Sequence, residues 1–122
     1  MTEIVKINLT WENIEELVAR LVADRVPLTV CPLSNVKLRV FPTLAAHPIK
    51  RMLDRGLCVS IHSDDPAYFG GYITDNYLAV ARTLGLSPAE IATLARNAIT
   101  STFLDEAGKR TLLAELDSTV AA

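Results

Sequence analysis

In NIEELVARLVADRV (Asn13 to Val26) the apolar residues Ile14, Leu17, Val18, Leu21 and Val22 recur three and four positions apart, with charged residues between them. That spacing lays one apolar stripe along a helix, which either Thr10 or Asn13 is able to cap. The period then changes. PLTVCP (Pro27 to Pro32) is short, apolar and β-branched, the pattern of a buried parallel strand ended by Pro32. The same succession returns in PIKRMLDRG (Pro48 to Gly56), a helix opened by Pro and stopped by Gly, followed by the strand-like LCVSI (Leu57 to Ile61). Two helix-to-strand steps predict an α/β fold with parallel strands and crossover helices. Downstream the chain reads as helical over Thr74 to Leu84, over Ser87 to Thr102, which opens on the capping-box pattern SPAE, and over Asp105 to Leu116. Thr2 to Leu9 alternates loosely and reads as one extra N-terminal strand. No fixed-period repeat, low-complexity tract or Gly/Ser linker interrupts this order, so residues 1–122 are read as a single domain.

Composition narrows the class. Half of the 122 residues are hydrophobic, enough for a real core without disulfides or metal. Twelve Lys and Arg stand against 14 Asp and Glu, unclustered, which disfavours a nucleic-acid partner. No run approaches the roughly 18 apolar residues of a membrane span. Glu3, Lys6 and Glu12 stand where a signal peptide needs an apolar stretch, so a cytoplasmic protein with no membrane partner is expected. Cys31 and Cys58 form no C-x-x-C pair and read as buried small hydrophobes. They belong to opposite ends of neighbouring parallel strands, beyond disulfide reach.

Ligands of parallel α/β folds gather beyond the carboxyl ends of the strands, which directs attention to Ser34-Asn35 and to His62-Ser63-Asp64-Asp65. Adjacent carboxylates repel, and a strand end that carries two is suited to a cation or a shared proton. If extended geometry persists through them, one carboxylate faces inward as a metal ligand and the other aside as a hydrogen-bonding group, with His62 on the face of Asp64. The bland alternative is that Asp-Asp-Pro starts a turn or caps a helix. His47, at a helix start, reads as a surface or capping residue. Tyr68 to Tyr72 reads either as a loop over a pocket or as packing of the turn. No G-x-S-x-G accompanies Ser34 or Ser63, which argues against an acyl-transfer triad.

At these residues the sequence resembles the adenosine/adenine deaminase family, zinc-dependent aminohydrolases built on a TIM barrel. The resemblance lies in LVARLVADRVPLTVCPLSNVKL (17–38), HPIKRMLDRG (47–56), SDDPAYFGGYITDNY (63–77) and LARNAITSTFL (94–104), and extends over residues 13–117 but not 1–12. PAYFGGY after the Asp pair is similar to the adenine deaminase branch. The resemblance implies the C-terminal part of a (β/α)8 barrel, with the two strands as its seventh and eighth. It implies zinc that activates water for attack on purine C6, so that adenine yields hypoxanthine and ammonia. Asp64 would ligate zinc and orient the water, and Asp65 would hydrogen-bond purine N7, a contact that needs a proton on one of the two. Ser34, Asn35 and His62 would support or line the pocket. The H-x-E and P-C-x-x-C site of the other base deaminases is absent.

The departures are equally specific. The family's zinc site also takes an H-x-H, a further His with an H-x-x-E that holds the catalytic Glu, and a His-Gly. No His precedes His47, and VKIN (5–8) stands near the expected His-Gly. His62 stands where the branch has Asn. A TIM barrel takes about 250 residues, so this chain accounts for half of one at most. One Asp cannot hold catalytic zinc alone, and the isolated chain is expected to be inactive. Exposed sheet edges predict association, either with an N-terminal barrel segment or with itself as a non-catalytic interaction module.

Overall fold

The computed structural model describes residues 11–121, with side chains from Ile14 onward. The expected strand over Thr2 to Leu9 lies outside the described residues. Helix α1 (Trp11–Ala23) leads through a turn into β1 (Leu28–Val30), then α2 (Pro32–Lys37), a 3-10 turn (Leu44–Ala46), α3 (Ile49–Asp54) and β2 (Val59–Ile61). Four helices follow: α4 (Pro66–Phe69), α5 (Ile73–Leu84), α6 (Pro88–Thr100) and α7 (Glu106–Ala121). β1 and β2 pair in parallel, with Leu28 opposite Val59 and Val30 opposite Ile61, as two successive helix-to-strand steps require.

The short sheet is covered by α3, α5 and α6. Ile49, Val59, Ile61, Val80 and Leu94 are fully buried and form the core, joined by half-buried Val30, Met52, Leu53, Leu84 and Ile91. All three residues of β2 are buried, whereas Thr29 at the centre of β1 is exposed. Helix ends follow their local sequence. Ser87 and Glu90 close a reciprocal box at the start of α6, with Glu90 N–H donating to Ser87 Oγ (3.1 Å) and Ser87 N–H to Glu90 Oε1 (3.0 Å). Gly85, at φ +67°, ends α5 in the left-handed conformation that a glycine takes at little cost. An ion pair from Arg55 to Glu15 ties α3 to α1.

Three short elements, α2, the 3-10 turn and α4, were not foreseen from periodicity. A helix of four to six residues is too brief to display a period. Cys31 and Cys58 are both free thiols. The register sets Cys31 opposite His62, four positions beyond Cys58, which is about 13 Å along the strand at ~3.3 Å per residue.

Candidate functional site

The carboxyl ends of β1 and β2 bring together the two polar clusters. Pro32 cannot extend β1 but suits the first turn of a helix, so the chain coils at once into α2. This turns Ser34 inward: it is 1% exposed, and its Oγ donates to Asp64 Oδ2 at 2.8 Å. Three consecutive residues of α2 are fastened to three other segments. Leu33 N–H donates to Asn76 Oδ1 (3.2 Å), Ser34 holds Asp64, and Asn35 Oδ1 accepts from His47 Nε2 (3.0 Å).

The expectation that strand geometry runs through both carboxylates is corrected. β2 ends at Ile61, and Asp64 lies at φ +58°, in the left-handed region that Asp tolerates better than most residues. The alternation that set His62 on the face of Asp64 therefore ends before Asp64. His62 instead pairs with its own strand neighbour, Nε2 lying 2.7 Å from Ser60 Oγ. Asp65 caps α4, its Oδ1 accepting from Tyr68 N–H at 3.2 Å. Its bland reading as a helix cap is thus realised, though capping engages only one of its two oxygens.

The surface reading of His47 is corrected, since it is 4% exposed, and its capping reading holds at the first residue of α3. Its Nδ1 accepts from Ile49 N–H at 3.2 Å, so the ring proton sits on Nε2 and is donated to Asn35. Burial holds its pKa below the ordinary histidine value, in keeping with a neutral ring. Phe41 packs on it with ring centroids 4.8 Å apart. Burial, reinforced by the negative charge of Asp64, raises the Cys31 thiol, although a bond with the Asp64 backbone opposes this. Cys31 accordingly stays protonated and unreactive near neutrality. Ser60 is fully buried, which removes its hydroxyl as a nucleophile despite the adjacent imidazole.

Sequence reasoning missed Asn76. It is fully buried and joins α2 to the turn before α5, its Nδ2 donating to Tyr72 O (3.0 Å) and Gly71 O (3.4 Å). The signal was present, since Asn76 stands four and eight positions before Val80 and Leu84, where an apolar residue continues the stripe.

A parallel αβ arrangement with an Asp pair beyond β2, held by a serine beyond β1, invites comparison with known hydrolases. Residues 9–119 match the family described as Adenosine deaminase. This chain belongs to the adenosine deaminase family. Within that family, the adenine deaminase of Caulobacter vibrioides is 53% identical over 108 residues, covering 88% of this chain and 31% of that protein. The crystal structure of adenine deaminase from Arthrobacter aurescens matches with a TM-score of 0.85 and 51% identity, over 90% of this chain and 35% of that one. An amidohydrolase of Burkholderia ambifaria, crystallised with bound Zn, shares the fold at 23% identity and a TM-score of 0.71, over 87% of this chain and 32% of that one. The chain spans about a third of the length of these deaminase relatives.

The sequence resemblance implies zinc, and the donors can be tested against it. A catalytic zinc takes three protein ligands and a water. Asp64 offers one suitable carboxylate. Both nitrogens of His47 are engaged, and Nε2 of His62 is engaged by Ser60. Among the described residues no group of three His, Cys, Asp or Glu is placed to hold a metal ion. By themselves these residues do not fit a zinc centre. Among the described residues no helix is long and apolar enough to cross a membrane.

Proposed function

We propose that this chain is the C-terminal part of an adenine deaminase barrel, contributing its seventh and eighth strands. The completed enzyme would hydrolyse adenine to hypoxanthine and ammonia. The observation that carries this reading is Asp64, held by buried Ser34 beyond two parallel strands, in a chain about half identical to adenine deaminases. In this reading Asp64 is one ligand of a zinc ion. The His ligands and a proton-shuttling Glu belong to an N-terminal segment, carried by the same protein or by a separate chain. Asp65, with one oxygen committed to capping α4, meets purine N7 through the other. Asn35 and His62 flank this site as wall residues. The chain alone is expected to be inactive.

Reconstitution tests it. Mixed with an N-terminal deaminase segment that supplies the H-x-H and H-x-x-E groups, the chain should release ammonia from adenine in a zinc-dependent manner. The chain alone should release none. A reconstituted complex that binds zinc and leaves adenine intact rules out the substrate assignment.

A second reading has its own support. Leu38, Val40, Tyr68, Tyr72 and Phe103 are exposed, and among the described residues each strand has a single partner. Such a surface suits a non-catalytic module that associates with its own copies. A metal-free oligomer of defined mass by light scattering favours this reading, and a monomer counts against it.

A further inference from the structure

We propose that Asn76 is a positioning residue for Asp64, acting through the first turn of α2. The inference rests on Asp64 being a site residue, as proposed above. Asp64 is exposed and its backbone is left-handed, so the direction of its carboxylate depends on the buried Ser34 hydroxyl that donates to it. The place of Ser34 depends in turn on α2, which at six residues is far below the length at which a helix sustains itself. α2 must be held from outside.

Asn76 is built to hold it. A buried amide is costly unless its polar atoms are paired, and here both ends of the side chain find partners. Oδ1 takes the N–H of Leu33, the residue immediately before Ser34. Nδ2 takes the carbonyls of Gly71 and Tyr72, in the turn that follows the helix capped by Asp65. The same two segments touch directly, since a Cβ placed on Gly71 would stand 2.5 Å from Leu33 Cδ1. One side chain thus joins the chain that carries Ser34 to the chain that leaves the Asp pair. Asn76 touches neither carboxylate itself.

The test reads the surroundings of Asp64 rather than turnover, so its failure is distinct from failure of the deaminase reading. The labelled chain is followed by NMR at the Asp64 carboxyl carbon and the Ser34 amide, with Ser34→Ala as the reference for a lost bond. Asn76→Leu keeps the branching at Cγ, adds volume and removes the pairing. It should move the Asp64 signal in the direction that Ser34→Ala does, while the methyl signals of Val59, Ile61 and Leu94 stay in place. Asn76→Asp keeps the acceptor for Leu33 and loses the donor. It should leave Asp64 near its original signal and displace the carbonyls of Gly71 and Tyr72. An unmoved Asp64 signal in folded Asn76→Leu overturns the proposal, as does equal displacement by both variants. If Asn76→Leu does not fold, Asn76→Ala takes its place: an Asp64 signal displaced as in Ser34→Ala supports the proposal, and an unmoved one overturns it.

Discussion

Asn97 of α6 donates from Nδ2 to the carbonyl oxygen of Val59 at 2.9 Å, on the edge of β2 that faces away from β1. The direction follows from the ladder. Leu28 N–H donates to Cys58 O and His62 N–H to Val30 O, so the even-numbered residues of this stretch address β1 and Val59 addresses the other side. Open edges offer unpaired backbone groups to other chains, and a buried helix side chain here satisfies one of them.

Asn97→Ala should therefore cost about 1–3 kcal/mol, the usual penalty when a buried acceptor loses its donor. Chemical denaturation of the two chains compares them directly. An unchanged midpoint would mean that solvent reaches the Val59 carbonyl freely.

Removing the Ser34 hydroxyl strips Asp64 of its buried donor. Ser34→Ala should lower stability by about 1–2 kcal/mol, since one partner of the bond is charged and the other is buried. In the reconstituted barrel the same change should reduce deamination. Full activity there would separate the Ser34 bond from the chemistry.

His47 gives the fold a slope at mildly acid pH. Its pKa is lowered in the folded state by burial, so the unfolded chain, titrating near 6.5, takes up the proton first. The contribution is complete above that value and is lost as pH falls through it towards the lower folded value. The unfolding midpoint should drop between pH 7.5 and pH 5.5, and His47→Gln should flatten that drop. Identical slopes for the two chains would refute a neutral, buried His47.

Gly71 and Gly70 differ in both crowding and backbone strain. Both have positive φ, +148° and +69°, but only at Gly71 does an added Cβ meet an atom, Leu33 Cδ1 at 2.5 Å. Gly70→Ala should cost about 1 kcal/mol for its left-handed backbone alone. Gly71→Ala should cost about 1–3 kcal/mol more, because φ +148° lies outside even the left-handed region and Leu33 must give way. Equal losses would show that neither the φ of Gly71 nor Leu33 adds to the cost.

The long elements were legible because their apolar residues repeat often enough to reveal a period. Val59 and Ile61 announced β2, and Ser87 with Glu90 announced α6. What escaped was either too short to repeat, as in α2 and α4, or a matter of tertiary context. The burial of His47 depends on Phe41 and Asn35, which no local pattern joins to it. Asp64 does lie beyond β2, where the sequence placed it, yet the rule of alternation failed at that residue. Its positive φ redirects the chain one residue before Asp65 caps α4.

The bond between Ser34 and Asp64 spans 30 positions and lies just past the parallel pairing of β1 with β2. It forms only once the intervening crossover has been gathered in, a closure that pays chain entropy before any contact returns it. The direction of the carboxylate is therefore tied to the pairing of the two strands, and a molecule whose strands part loses it.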